Sequence, residues 1–201
     1  HSSDGMRMKN TFYLLLFWLG LSLEVPAQAI WSADFPFAGE LPSNEMTELY
    51  QDEDGFVWIG TTNGLSRYDG YRLQTFQTDY LHPNRLTHNH ITCIAEDSAY
   101  LWIGTRKGLN LIDKRTYRIT TPGEAPLQTA HIRSLCSDGK SRIWIALNDR
   151  LLESRFPYHE YTSINLPSPN GKPSYINSFF YEKGKERLWI CTSNGIFVYT
   201  D

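Results

Sequence analysis

Residues 91–109 read ITCIAEDSAYLWIGTRKGL, and this stretch decides the fold because its pattern recurs along the chain. Each copy has an apolar run, a polar turn, a run centred on Trp and a second short turn. The other copies are residues 46–65, 132–151 and 176–196. The four tryptophans are separated by 44, 42 and 45 residues and are Trp58, Trp102, Trp144 and Trp189. This period indicates one β-propeller blade, which takes roughly 40 to 50 residues.

Each copy contains short β-branched or aromatic runs separated by turn residues, which is typical of antiparallel strands. In the second copy we predict strand A at 91–96, strand B at 101–105, strand C at 109–113 and strand D near 117–120. Such a meander has two apolar faces, so blades must pack face to face around an axis. We therefore predict an all-β fold, a β-propeller with four-stranded antiparallel blades. The predicted units lie near residues 43–78, 88–121, 130–163 and 174–201.

The conserved order of each copy assigns structural roles to its Trp and Gly residues. The four tryptophans are expected to fill equivalent layers between blades. At Gly60 and Gly104, a missing side chain lets a neighbouring blade approach closely. Glycine at the B–C turn suits a positive φ, and this turn contains Gly64, Gly108 and Gly195.

The N-terminal residues predict export. Residues 1–5 read HSSDG and look like the remnant of an expression tag, and residues 6–29 have the order of a signal peptide. A basic start is followed by the apolar block 12–23 and by Ala27-Gln28-Ala29, so cleavage is expected near Ile30. The alternative is a retained membrane anchor, but the apolar block is shorter than the ~20 residues of a spanning helix. The mature chain is therefore expected in the periplasm.

Charge and cysteine content exclude several functions. The net charge is −3 and the basic residues are scattered, which does not favour a nucleic-acid partner. The three cysteines allow at most one disulfide, and their apolar neighbours indicate buried free thiols without chemistry. They are Cys93, Cys136 and Cys191.

The string I-x-x-I-x-x-D-x-x-G-x-L-W-I-G-T-x-x-G-L, seen with small departures around Trp58 and Trp102, resembles the two-component regulator propeller repeat. The resemblance covers residues 43–199, and the connector 79–91 resembles the D–A linker of that family. Copies three and four depart from it, because Ala146 and Cys191 replace the glycine. Their B–C loops are therefore expected to differ in shape.

The resemblance implies a periplasmic ligand-sensing region of a hybrid two-component histidine kinase of the Bacteroides type. Carbohydrate breakdown products, as oligosaccharides, are the usual signals of such systems. It further implies a homodimer in the intact receptor, membrane attachment through downstream segments only, and about seven blades. Residues 30–41 precede the first strand A and are expected to form an outer strand that closes the last blade, a common closure in propellers. A four-bladed closed ring is the alternative. Two other functions stay open: a protein-interaction or dimerisation scaffold, and a carbohydrate lyase or hydrolase.

Strand geometry places the D–A and B–C loops on one face, and loops on a rigid scaffold commonly carry function. Asn, Arg, His and Tyr side chains suit sugar hydroxyls and carboxylates. The predicted ligand-binding residues are Asn63, Asn89, His90, Arg106, Lys107, His131, Asn148, Tyr175 and Asn194, with Asn44 beside them.

Metal and catalytic chemistry find little support in the sequence. His88 and His90 have a metal-like spacing without a third ligand. Residues 52–55 read DEDG and look calcium-like, but an A–B turn explains them. No nucleophile or paired-acid motif is present, so we predict no catalytic residue, no metal and no cofactor.

Overall fold

The computed structural model describes residues 35–79, 81, 84–148 and 150–200. The predicted tag remnant, the signal peptide and the first part of the predicted closing strand lie outside these residues. The described part of that segment is not a strand, since Ala38–Glu40 forms a 3-10 helix.

The described residues form four antiparallel sheets of consecutive strands. The first three sheets have four strands and the fourth has three. Blade 1 contains β1 (Met46–Gln51), β2 (Val57–Thr61), β3 (Gly64–Tyr68) and β4 (Leu73–Phe76). Blade 2 contains β5 (Ile91–Glu96), β6 (Tyr100–Thr105), β7 (Gly108–Asp113) and β8 (Ile119–Thr120). Blade 3 contains β9 (Ser134–Ser137), β10 (Arg142–Ala146), β11 (Leu151–Arg155) and β12 (Tyr161–Ile164). Blade 4 contains β13 (Ile176–Glu182), β14 (Arg187–Thr192) and β15 (Gly195–Tyr199).

Strand A is the innermost strand of each blade. The first strands β1, β5, β9 and β13 pack against one another in sequence, while strands B, C and D follow outward. The predicted all-β propeller of antiparallel blades is confirmed. In blade 2 the predicted strands A, B and C agree with the observed bounds to within one residue.

The Trp of each repeat lies between its own blade and the next one. Trp58 packs in a cluster with residues of blade 2 that include Ile91 and Ile103. Trp102 packs in the same way on blade 3, and Trp144 packs on blade 4. These three indoles are at most 1% exposed. Trp189 differs from the prediction because no described sheet covers its side of blade 4, and it is 37% exposed.

In blades 1 and 2 the acidic residue of the A–B turn binds the Trp side chain. Asp52 Oδ2 accepts a 2.7 Å hydrogen bond from Trp58 Nε1, while its Oδ1 accepts one of 2.8 Å from the Phe56 amide. The calcium-like stretch is therefore an A–B turn, as predicted. Asp97 Oδ2 accepts from Trp102 Nε1 at 2.6 Å and from the hydroxyl of Tyr158 of blade 3, also at 2.6 Å. This carboxylate thus connects two blades through buried, charge-assisted hydrogen bonds.

Close contact with the next blade explains the glycine in strand B of blades 1 and 2. A Cβ on Gly60 would lie 2.8 Å from Cγ2 of Ile91, the first residue of the next strand A. A Cβ on Gly104 would lie 2.8 Å from Cγ2 of Ile132 and would also meet the Cys93 sulfur. The predicted approach of a neighbouring blade is confirmed at both positions.

Three details depart from the sequence predictions. Cys191 is exposed rather than buried, since it lies on the uncovered side of blade 4 with Trp189; all three cysteines are free thiols. The B–C turn of copy four keeps the shape of the first two copies, because Thr192 Oγ1 still donates to the Gly195 carbonyl at 2.9 Å. A short helix, α1 (Ala125–Thr129), interrupts the linker between blades 2 and 3 and buries Leu127.

Candidate ligand-binding face

Backbone hydrogen bonds join the D–A linkers to the B–C turns. The Arg106 amide donates to the His90 carbonyl at 3.0 Å, and the Gly108 amide donates to the Ala130 carbonyl at 2.8 Å. In blade 4 the Ser193 amide donates to the Tyr175 carbonyl at 2.9 Å. The two loop types therefore share one face, as predicted. We call it the linker face; the opposite face, which carries the A–B turns at 52–56, 97–100, 138–141 and 183–186, is called the turn face.

A groove of about 610 Å³ opens on the linker face beside the B–C turn of blade 2. Its volume lies within the roughly 300 to 1,000 Å³ of typical ligand sites. Three of the lining side chains belong to Arg, His and Lys, and none belongs to Asp or Glu. Most of the other lining side chains carry hydroxyl or amide groups. The lining residues are Thr78, Arg85, Leu86, Thr87, His88, Asn89, Lys107, Ile119, Thr120, Thr121 and Gln128.

The B–C turn of blade 2 places two cations at its tip. Thr105 Oγ1 donates to the Gly108 carbonyl at 2.6 Å and accepts from the Lys107 amide at 3.1 Å. Gly108 has φ +103°, and a Cβ there would lie 2.9 Å from the Thr87 hydroxyl. Only glycine fits this position without strain. The tight turn leaves Arg106 and Lys107 exposed above the linkers.

Two half-buried histidines flank Arg106. Burial lowers the pKa of His90, and the positive charge of Arg106 lowers it further. Burial also lowers the pKa of His131, followed by the charges of Arg133 and Arg106. Both imidazoles are therefore mainly neutral near pH 7, where each can donate one hydrogen bond and accept another.

Comparisons with family models and with solved structures both find similar propellers. Residues 40–63 and 85–107 match the family model described as "Two component regulator propeller". Two segments of the chain are therefore similar to the two-component regulator propeller repeat. These repeats cover strands A and B of blades 1 and 2, including the B–C turn with Arg106 and Lys107. No curated protein matches the chain.

Solved structures of similar propellers include the extracellular domain of BT4673 from B. thetaiotaomicron, described in one structure as a one component system and in another as a hybrid two component system. It is 25% identical with a TM-score of 0.62; the match covers 78% of this chain and 20% of that one. The extracellular domain of the hybrid two component system BT3049 from B. thetaiotaomicron is 19% identical, with a TM-score of 0.55. That match covers 87% of this chain and 28% of the BT3049 domain. Virginiamycin B lyase from Staphylococcus aureus is 16% identical, with a TM-score of 0.51. That match covers 85% of this chain and 58% of the lyase. The last two similarities show the fold alone. This chain spans about a fifth of the length of the BT4673 domain.

Three of the predicted asparagines brace the loops of the propeller repeats. Asn63 Nδ2 donates to the Pro42 carbonyl at 3.1 Å, and Asn194 Nδ2 donates to the Pro173 carbonyl at 2.9 Å. Asn89 Oδ1 accepts from the Thr78 amide at 2.7 Å. These contacts join each linker to a neighbouring loop, so the amides position the face and keep only part of their hydrogen-bonding capacity for a ligand.

The structure brings six of the nine predicted residues together around blade 2. Asn89 and Lys107 line the groove, and Asn89 Nδ2 contacts Asn63 Oδ1 at 3.3 Å. His90 and Arg106 are the sequence neighbours of these two lining residues, and the charge of Arg106 acts on both His90 and His131. The other three lie on loops of blades 3 and 4 and do not line this groove: Asn148, Tyr175 and Asn194.

Sequence reasoning missed several residues of the site. Arg85 and Gln128 line the groove, and Arg133 lies near His131. His88 was considered only as a metal ligand; its Nδ1 instead accepts a hydrogen bond from the His90 amide at 3.0 Å. Within the described ranges, no group of three or more His, Cys, Asp or Glu side chains is arranged to hold a metal ion. The basic residues of linker 79–91 were the available signal for this site.

A second cavity, of about 510 Å³, lies between blades 3 and 4 and contains Glu153 and Glu160. Glu153 is already engaged: its Oε1 accepts from Arg155 Nε at 3.1 Å, and its Oε2 accepts from the Tyr199 hydroxyl at 3.1 Å. Tyr199 belongs to β15, the outermost strand of its sheet, so this cavity opens at an unpaired strand edge. Contacts within blade 3 and with blade 4 therefore account for Glu153, whereas Glu160 is exposed.

Proposed function

We propose that this chain is part of the ligand-sensing input region of a two-component system regulator, and that its linker face binds an oligosaccharide. The observation that carries the proposal is the 610 Å³ groove on the face predicted from the repeat. The similarity to the extracellular domain of BT4673 supports the sensory role.

The chemistry of the groove suits a carbohydrate. Its threonine hydroxyls and the amides of Asn89 and Gln128 offer donors and acceptors to sugar hydroxyls. Lys107 and Arg85 can only donate hydrogen bonds, and Arg85 Nη1 already donates one to the Asp79 carbonyl at 3.1 Å. The groove is formed by loops held on three packed blades, so its shape is largely preformed, as in most small-molecule sites.

Export and assembly form part of the same proposal. The signal peptide pattern of residues 6–29 supports a periplasmic location, with membrane attachment through further segments and a homodimer in the intact receptor. None of the helices in the described part of the chain is long and apolar enough to cross a membrane.

A non-catalytic interaction scaffold is the second candidate. It is favoured by large apolar side chains exposed on blade 4, which are Phe180, Trp189, Ile196 and Val198. A scaffold of this kind needs no small ligand, so a ligand screen separates the two functions.

The test is thermal unfolding of the chain against a panel of oligosaccharides. A ligand that binds only the folded state raises the midpoint, and at a hundred times its Kd it adds about 2.7 kcal/mol to stability. We expect a saturable shift that Lys107→Ala weakens, whereas Lys140→Ala, an exposed lysine of the turn face, leaves it unchanged. A flat panel would contradict direct ligand binding and leave the scaffold function ahead.

A further inference from the structure

The groove on the linker face and a cavity on the turn face differ in the charge of the residues that line them. The linker face around blade 2 collects residues that are positive or can become so: Arg85, His88, His90, Arg106, Lys107, His131 and Arg133. On the turn face, a cavity of about 330 Å³ is lined by Asp52, Glu53 and Glu96, with Lys183 as its only cationic residue. The chain as a whole carries a net charge of −3, so the basic character of the linker face is local.

Among the described residues, none forms an ion pair with the two cations at the tip of the B–C turn of blade 2. Some cations elsewhere are paired, as in the contact of Lys114 with Glu53 at 3.3 Å. In contrast, the side chains of Arg106 and Lys107 form no ion pair and no hydrogen bond with any described residue. Arg133 nearby donates its Nε only to the Ile176 carbonyl, at 3.1 Å. Uncompensated cations beside a groove without acidic lining attract an anion.

We propose that the ligand of the linker face is an anionic oligosaccharide, whose carboxylate or sulfate groups bind Arg106 and Lys107 while its hydroxyls contact the groove. This inference rests on the proposed function and adds the chemical class of the ligand. Arginine binds carboxylate and sulfate oxygens through two parallel N–H donors, and such charge-assisted hydrogen bonds are roughly twice as strong as neutral ones.

The two histidines predict how binding depends on pH. Both have lowered pKa values, so they are mainly neutral near pH 7. A bound anion favours the charged imidazolium and raises those pKa values, so binding takes up protons and tightens as pH falls from about 7.5 to about 5.5. The charged or titratable neighbours that act on His90 are Arg106, His88, His131 and Glu45, and those that act on His131 are Arg133 and Arg106.

Isothermal titration calorimetry at fixed ionic strength tests the proposal with four probes: tetragalacturonate, a sulfated tetrasaccharide, neutral maltotetraose and inorganic sulfate. We expect one or both of the anionic oligosaccharides to bind at least about tenfold more tightly than maltotetraose, with tighter binding at pH 5.5 than at pH 7.5. The double variant Arg106→Ala/Lys107→Ala should weaken that binding by at least about tenfold. The double variant Arg115→Ala/Lys140→Ala, with the same change in charge on exposed turn-face residues, should leave it unchanged.

The results that would overturn the anionic ligand class differ from those that would reject the proposed function. Tight binding of maltotetraose that is insensitive to Arg106→Ala/Lys107→Ala overturns the anionic class while leaving the sensor proposal in place. Equal weakening by both double variants, or binding of inorganic sulfate as tight as that of the oligosaccharides, also overturns it, because the attraction is then non-specific. Absence of binding by all three oligosaccharides, together with a flat thermal panel, rejects the proposed function itself.

Discussion

Replacing Trp102 by alanine is expected to lower the free energy of unfolding by about 3–5 kcal/mol, the usual cost of removing a buried Trp. Trp102 is 0% exposed between blades 2 and 3, and its Nε1 donates to Asp97 at 2.6 Å. The variant leaves a cavity between two sheets and removes one of the two side-chain donors to Asp97 Oδ2. Because small domains are stable by only about 5–15 kcal/mol, a substantial fraction of the total is lost.

The repeat supplies a matched control for this variant. Trp189 occupies the same position in blade 4, but it is 37% exposed and donates to Glu182 at 3.1 Å near the surface. We expect Trp189→Ala to cost about 1 kcal/mol or less. Urea unfolding followed by circular dichroism measures both variants. We conclude that the Trp stabilises the fold by packing between blades and not by favouring its strand. Similar losses of unfolding free energy in the two variants would contradict that conclusion.

Gly104→Val is expected to destabilise the chain by about 3 kcal/mol or more, the upper part of the range for overpacking. The added side chain would overlap Ile132 of blade 3 and Cys93 of the paired strand, so two sheets must move apart. The displacement acts near the linker face, since Ile132 follows His131 directly. The variant is therefore expected to weaken ligand binding as well as stability.

Gly123→Val provides the comparison for the second variant. Gly123 lies in the linker before α1, it is exposed, and no heavy atom lies within 4 Å of a Cβ built there. Its replacement is expected to change stability by no more than about 0.5 kcal/mol. If Gly104→Val proves as mild as Gly123→Val, the proposed close contact of blades 2 and 3 is wrong.

The parts of the fold that were predictable from sequence are those governed by local pattern. Strand A of blade 2 has the predicted bounds 91–96, because alternating apolar residues and an Asp-containing turn define a strand without outside help. The positive φ of Gly64, Gly108 and Gly195 was predictable for the same reason. The exposure of Trp189 was not, since it depends on what covers the blade and not on the sequence around it.

Some residues of the candidate site were likewise predictable from the sequence, and others were not. Arg106 and Lys107 could be placed because the repeat fixes the B–C turn. Gln128 could not, because it lies on α1, an α-helix that the described parts of the other linkers lack. Asn194 was assigned to ligand binding from its residue type and its position in a B–C loop, whereas its amide donates to the carbonyl of Pro173. Side-chain chemistry suggests a ligand, but only the path of the linkers decides which side chains meet.

Hydrogen exchange with and without a saturating concentration of the tighter-binding anionic tetrasaccharide tests the central claim most directly, because it reports which face of the propeller the ligand covers. The account predicts slower amide exchange in residues 84–90, 105–108 and 128–133 of the linker face, with no change in residues 52–56, 97–100 and 138–141 of the turn face. Protection confined to the turn face, or unchanged exchange on both faces, would contradict the account.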